Sequence, residues 1–184
     1  MGYVYLYTGT GGGKTANALG LALRTVGHGK KAVIIQFCKW RKDTGEYLVK
    51  DKLGDLYEIY LFGREAWLGK EEKTEEFGGE KFKVESIKDS DKRLAQKGLA
   101  FAAQVLKEKK PDLLVLDEIN LAVHWKLLDA KVVLELLCKI PHETTVVMTG
   151  RHAPQELIDR ADFVNIVQDT KMPEKFKPTK GIQY

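Results

Sequence analysis

The chain has 184 residues, 43% of them hydrophobic, and a formal net charge of +4. That length suits one domain with a full core, and the mild positive charge suits a polyanionic ligand. The composition argues against a nucleic-acid binder, since no dense Lys/Arg run is interleaved with aromatics, and against a membrane protein, since no apolar run reaches spanning length.

The first segment, Tyr3-Val4-Tyr5-Leu6-Tyr7, reads as a β-strand. The glycine loop Thr8-Gly9-Thr10-Gly11-Gly12-Gly13-Lys14-Thr15 follows, and then an amphipathic helix from Ala16 to Arg24. Strand, glycine loop ending in Gly-Lys-Thr, helix is the context of a phosphate-binding P-loop. Glycines let successive backbone N–H groups point at an anion, and the helix N-terminus adds its own N–H groups and positive dipole end. Lys14 supplies a point charge, and the Thr15 hydroxyl can ligate Mg²⁺. The usual motif places glycine at the position of Thr8, so the loop counted from Gly9 is one residue short. A glycine-rich turn without ligand is the bland alternative.

Gly27-His28-Gly29 ends the first helix. Ala32-Val33-Ile34-Ile35-Gln36-Phe37 is a continuous apolar run and reads as a buried parallel strand. Residues 38–46 form a polar loop at its carboxyl end, and Leu56-Tyr57-Glu58-Ile59-Tyr60-Leu61 reads as a further strand. Residues 63–90 carry Gly63, Gly69, Gly78, Gly79 and the aromatics Trp67, Phe77 and Phe82, and read as a long irregular loop. Such a loop is usually a lid or disordered, and the aromatics favour a lid.

Helical period returns from Asp91 to Lys109, with Leu94, Gly98, Phe101, Ala102 and Val105 on one side, and Pro111-Asp112 stops it. Leu113-Leu114-Val115-Leu116-Asp117-Glu118 then has the Walker B pattern of an apolar strand ending in carboxylates. In P-loop proteins that strand is expected beside the P-loop strand, delivering its acid towards Mg²⁺. The alternative is that Asp117 only caps the next helix. A helix over 129–139, a buried strand over 144–149 ending in Gly150-Arg151-His152, a short helix opened by Pro154, and a last strand over 163–167 complete the order. The segment 168–184 is a Lys- and Pro-rich tail that can close over the nucleotide.

The expected fold is therefore a single α/β domain, a P-loop NTPase core with a mostly parallel sheet and helices on both faces. Loops at the carboxyl ends of the strands should build the site. Cys38 and Cys138 are far apart and form no CxxC pair, so they read as reduced thiols. No basic leader precedes the first strand, and the expected compartment is the cytoplasm. His28, His124, His142 and His152 show no ligand spacing and read as packing or surface residues, and Trp125 reads as core.

Several segments together resemble the CobA-type ATP:corrinoid adenosyltransferases. They are Tyr7 to Thr15, Arg24-Thr25-Val26-Gly27-His28-Gly29-Lys30, Ile35-Gln36-Phe37, Thr44-Gly45-Glu46, Leu114 to Glu118, Thr149-Gly150-Arg151 and the closing Gly181-Ile182-Gln183-Tyr184. The short, threonine-led P-loop is itself a trait of that family. The resemblance implies a RecA-like homodimer that binds MgATP in reversed orientation. A Co(I) corrinoid attacks the ribose C5′ of ATP and releases inorganic triphosphate, in adenosylcobalamin synthesis or salvage. It also implies a flavoprotein that reduces Co(II).

Carried over by motif, Thr8, Gly9, Thr10, Gly11, Gly12, Gly13, Lys14, Thr15 and Ala16 cradle the phosphates, and Arg24, Gln36 and Arg151 face the nucleotide. Thr15 and Glu118 ligate Mg²⁺ with Asp117 in support, and Lys14, Thr15 and Glu118 carry catalysis. Phe62 and Trp67 fall in the region that places aromatics beside the corrinoid. The sequence departs from the family pattern at Trp40, where the family has glycine after Gln-Phe-x-Lys, and at Lys171-Met172, where it has Lys-His. Family members often open with an extra helix ahead of the first strand, and the sequence here opens on that strand. The competing readings are a phosphoryl-transferring enzyme of the nucleoside kinase kind, which usually carries a zinc-binding CxxC pair, and a nucleotide-binding module without catalysis.

Overall fold

A computed structural model describes residues 2–69, 71–77, 80–174 and 179–182; Gly78, Gly79, Gln183 and Tyr184, named above, lie outside them. In chain order the elements are β1 (Val4–Thr8), α1 (Lys14–Gly27), β2 (Ala32–Phe37), α2 (Gly45–Leu48), α3 (Lys50–Leu53), β3 (Tyr57–Phe62), β4 (Trp67–Gly69), β5 (Lys73–Phe77), β6 (Glu80–Ser86), α4 (Asp89–Glu108), β7 (Leu113–Asp117), α5 (Ile119–His124), α6 (Ala130–Leu137), β8 (Thr145–Thr149), α7 (Gln155–Arg160) and β9 (Phe163–Ile166). A 3₁₀ turn, Gly54–Leu56, leads into β3.

Six strands form one parallel sheet in the order β3-β2-β7-β8-β1-β9. The pleat sorts side chains to its two faces. On one face Val33, Ile35, Phe37, Leu114, Leu116, Val146 and Met148 meet α4, α5, α6 and α7. On the other Ala32, Ile34, Ile59, Val115 and Val147 meet Ala18 and Ala22 of α1. This is the α/β architecture with helices on both faces that the element order predicts. Burial from both sides explains why β2 and β7 are unbroken apolar runs.

Three expectations need correction. The Walker B strand β7 is not beside the P-loop strand β1, because β8 lies between them. The carboxylate still reaches the loop because α1 packs over β8 and β7, which carries its first turn across to the end of β7. Residues 63–90 are not an irregular loop. They contain a three-stranded sheet in the order β4-β6-β5, with β5 and β6 antiparallel. Period-2 alternation, Lys81-Phe82-Lys83-Val84-Glu85, buries Val84 while the lysines face out, and the surrounding glycines and charges hid that pattern. Arg64 ties this sheet to the main body through Glu85 (2.6 Å) and the buried Asp91 at the start of α4 (3.0 Å). Pro154 precedes α7 as its N-cap instead of being its first residue.

The helical glycines show where packing is tightest. A Cβ at Gly98 would lie 2.9 Å from the Phe37 ring and 3.0 Å from the Phe62 ring, while at Gly20 it would meet nothing within 4 Å. Gly98→Ala is therefore expected to cost about 1–3 kcal/mol by overpacking. Gly20→Ala is expected to add about 0.5–1 kcal/mol by helix propensity. Urea unfolding of both variants checks the contrast, and a stabilised Gly98→Ala would contradict the packing argument.

Candidate active site

The site lies at the carboxyl ends of β1, β2, β7 and β8. Gly9 and Gly13 take left-handed backbone conformations (φ 105° and 96°), which glycine adopts without strain. Lys14 is nearly buried, and its ammonium folds back on the Gly11 carbonyl at 2.5 Å. Burial, and then the Arg151 charge, lower its pKa. The negative charge of a bound polyphosphate would offset both effects.

Below the loop sits Asp117, whose carboxylate is fully buried. Its Oδ1 accepts from Thr15 Oγ1 (2.9 Å) and Thr149 Oγ1 (2.6 Å). Its Oδ2 accepts from Gln36 Nε2 (2.9 Å) and Lys39 Nζ (2.7 Å). Burial raises the pKa of the Asp117 carboxyl, but the Lys39 charge and the hydrogen bonds outweigh it, and the net shift is downward. The group is ionised, with four donors for four lone-pair sites. Lys39 also donates to Thr15 Oγ1 at 3.3 Å. Its ammonium thus bridges the hydroxyl and the carboxylate expected to serve a divalent cation.

Glu118 is different. It is the N-cap residue of α5, with a left-handed backbone (φ 62°) and its N–H bound to Thr149 Oγ1 at 3.0 Å. Its Oε2 is buried without a hydrogen-bond partner. Burial and the neighbouring Asp117 charge raise its pKa. An orphaned carboxylate oxygen on the residue after Asp117, close enough to Lys14 for its charge to act there, suits a divalent cation. Among the described residues no group of three or more His, Cys, Asp or Glu could hold a metal. Any ion here must therefore draw further ligands from the Thr15 hydroxyl and from the substrate's phosphates.

Glu118 also lines a cavity of about 300 Å³, together with Lys39, Trp40, Thr44, Trp67 and Trp125. The Trp40 and Trp67 rings meet edge to face, with centroids 5.1 Å apart, and Phe82 backs Trp67 at 5.4 Å. Trp67 is 45% exposed, so this aromatic wall is open to solvent. The Thr44 hydroxyl is a second buried polar atom without a partner. Glu118 joins cavity and phosphate loop: it lines the one, and its charge acts on Lys14 of the other.

The expected site residues divide clearly. The loop residues, Thr15, Asp117 and Glu118 come together, and Arg151 is close enough for its charge to act on Lys14. Ala16 is exposed in the first turn of α1. Thr8 turns inward, where its Oγ1 accepts from the Ala153 N–H at 3.3 Å, while Thr10 is exposed. Gln36 is 1% exposed; it holds Asp117 from the neighbouring strand, where the two are register partners, and it also lines the cavity. Arg24 is exposed in the last turn of α1, about 15 Å along the helix from Lys14. Phe62 is not in the aromatic wall either; it packs on Phe101 (5.7 Å) and over Gly98 in the core.

Sequence reasoning missed Lys39 and Trp40. The available signal was their place, two and three residues past a buried strand whose carboxyl end should build the site. His124 and His152 stack with centroids 4.4 Å apart. Trp125 packs on the core as well as lining the cavity.

The description "ATP:corrinoid adenosyltransferase BtuR/CobO/CobP" belongs to a family model that matches residues 1–184. The chain belongs to this family. A corrinoid adenosyltransferase of Sinorhizobium sp is 30% identical over 187 residues, covering all of this chain and 80% of that protein. That of Escherichia coli K12 is 29% identical over 170 residues, covering 92% of this chain and 78% of the relative. The corrinoid adenosyltransferase CobA of Salmonella typhimurium is 28% identical over 185 residues, covering all of this chain and 86% of the relative. The chain is thus a transferase of the ATP-dependent, corrinoid-adenosylating kind, and the kinase alternative is not favoured.

Cys38 lines the cavity, and burial, followed by the Glu118 and Asp91 charges, pushes its pKa up to about 12. A raised thiol pKa leaves a thiolate fraction on the order of 10⁻⁴ at pH 8, too small for useful nucleophilicity. With iodoacetamide at pH 8, the exposed Cys138 is expected to alkylate and Cys38 to stay unmodified. Peptide mass spectrometry reads this directly; rapid labelling of Cys38 would contradict it.

Proposed function

We propose that the chain transfers the 5′-deoxyadenosyl group of ATP to the Co(I) of a corrinoid and releases inorganic triphosphate. The observation that carries the reading is the meeting, at Glu118, of a phosphate loop and an aromatic-walled cavity. Family membership names the two substrates, and these two halves of the site suit them in turn.

In this reading the cobalt lone pair forms the Co–C5′ bond as the C5′–O bond breaks, and the electron pair leaves with the triphosphate. The corrinoid brings the nucleophile, so no protein base is required. The protein's work is to position C5′ and to stabilise the leaving polyanion. Backbone N–H groups from Gly9 to Lys14 and the Lys14 ammonium address the phosphates. Thr15 and Glu118 would hold Mg²⁺, with Asp117 anchored behind them. That ion, when bound, would neutralise charge on the departing oxygens. Lys39, which donates to Thr15 Oγ1 at 3.3 Å, would give up that contact if Thr15 held Mg²⁺. Trp67 and Trp40 offer an apolar face to the corrin and exclude water from the cobalt.

Three further points rest on resemblance to the family alone: a homodimer, a flavoprotein that supplies Co(I), and a role in adenosylcobalamin synthesis or salvage. No helix among the described residues is long and apolar enough to cross a membrane. A cytoplasmic place agrees with the reduced cysteines.

The decisive assay is anaerobic incubation with MgATP and chemically reduced cob(I)alamin, following loss of the Co(I) absorbance and separating the phosphate products. Light-sensitive adenosylcobalamin with free triphosphate is expected; ADP and phosphate without corrinoid turnover would overturn the reading in favour of a kinase or ATPase. Glu118→Gln should keep the fold and lower kcat about a hundredfold, the scale of losing one electrostatic stabiliser of the leaving group. A variant with unchanged kcat would remove Glu118 from the mechanism. Trp67→Ala should impair turnover from Co(II) under a weak reductant more than from preformed Co(I). Equal losses in the two assays would sink the water-exclusion role.

A further inference from the structure

The end of β9 and the residues after it dock on the phosphate loop. The Val167 N–H donates to the Thr8 carbonyl (2.8 Å), and the Gly11 N–H donates to the Val167 carbonyl (2.9 Å). The fit is close enough to exclude side chains. A Cβ at Gly9 would lie 2.3 Å from the Val167 carbonyl oxygen, and one at Gly11 would lie 2.7 Å from the Asp169 nitrogen. This docking brings the Asp169 carboxylate over the loop, where both oxygens accept from the Gly12 N–H at 3.3 and 3.2 Å. Its charge also acts on Lys14. Further on, Lys180 is close enough to the 38–46 loop for its charge to act on Asp43.

A backbone N–H of the glycine loop and the P-loop lysine are the two kinds of group that recognise a phosphate. One carboxylate of the chain itself addresses both. A phosphate group arriving at Gly12 and Lys14 meets this negative charge at the same donors. The two anions cannot share them, since like charges at contact repel and the N–H has one hydrogen to give.

We propose that Asp169 is an internal anion that occupies part of the phosphate loop in the empty protein, and that the polyphosphate of the nucleotide displaces it together with the segment that follows. Asp169 is then an affinity-determining residue for the nucleotide, acting by competition. The inference rests on the reading of this loop as the phosphate site.

Calorimetric titration of the full chain with inorganic triphosphate, and with MgATP, tests it in four proteins: wild type, Asp169→Asn, Asp169→Ala and Glu174→Gln. Glu174 is exposed in the same tail, and its variant makes the same change in net charge as Asp169→Asn. Both Asp169 variants should bind triphosphate about two- to fivefold more tightly than wild type, the range for removing one exposed ionic contact. Glu174→Gln should bind as wild type does. Weaker or unchanged binding by the Asp169 variants would overturn the proposal, and so would an equal gain in Glu174→Gln. Absence of triphosphate and MgATP binding in all four would overturn the phosphate-loop reading itself, a result distinct from binding that is equal throughout. Limited trypsin digestion supplies the second readout. Triphosphate should speed cleavage after Lys171 in wild type, and Asp169→Ala should be cleaved quickly with or without it. Protection of Lys171 by triphosphate would show that the segment closes on the ligand instead of leaving it, and would also overturn the proposal.

Discussion

The buried carboxylate of Asp117 is the contact on which this site depends. Ionised and cut off from water, it would be untenable alone, since an unpaired buried charge costs several kcal/mol. Four donors from four places in the chain make it tenable: Thr15 from α1, Thr149 from the end of β8, Gln36 from β2 and Lys39 from the loop after β2. Each donor is held by its own element, so the carboxylate fixes the phosphate loop, three strand ends and the cavity loop relative to one another. Its neighbour Glu118 can then carry an oxygen with no partner, because the surrounding structure is already determined.

The two carboxylates divide the labour by environment. Asp117 is saturated with donors and its pKa is lowered; Glu118 faces the cavity and its pKa is raised by burial and by Asp117 itself. Under the proposed function, Glu118, with an open lone pair, would meet the cation, and Asp117, with none, would hold the frame. Lys39 joins them, as its ammonium neutralises Asp117 and touches Thr15 where an ion would sit. The loop is therefore balanced by the protein's own charges of both signs, Lys39 below and Asp169 above.

The aromatic side of the site rests on the small sheet. Trp67 and Phe82 come from β4 and β6, and Arg64 anchors that sheet through Glu85 and Asp91. Trp40 arrives from the opposite wall, on the loop that also supplies Lys39. Residues 38–40 thus touch both the Thr15–Asp117 cluster and the aromatic wall, and under the proposed function they would give the two halves of the reaction one structural support.

Local sequence determined a good deal. A strand, a glycine loop and a helix in order announce the phosphate site, because only glycines free the N–H groups to converge. Unbroken apolar runs announce strands covered on both faces, as β2, β7 and β8 are, because each residue must meet a helix on one side or the other. Family resemblance, spread over segments from Tyr7 to Glu118 and beyond, carried the chemistry. Tertiary structure alone decided what depends on strand order and on neighbours distant in sequence. It placed β8 between β1 and β7, gave Gln36 the role of a donor to Asp117, and sent Phe62 into the core beside Gly98. It also made a sheet of residues that read as a loop, and brought Lys39 to Thr15 and Asp169 to Gly12. Hydrogen-bond partners 102 and 157 residues apart, as in Thr15–Asp117 and Gly12–Asp169, leave no periodic trace in a sequence, because their proximity is set by the packing of whole elements and by no local propensity.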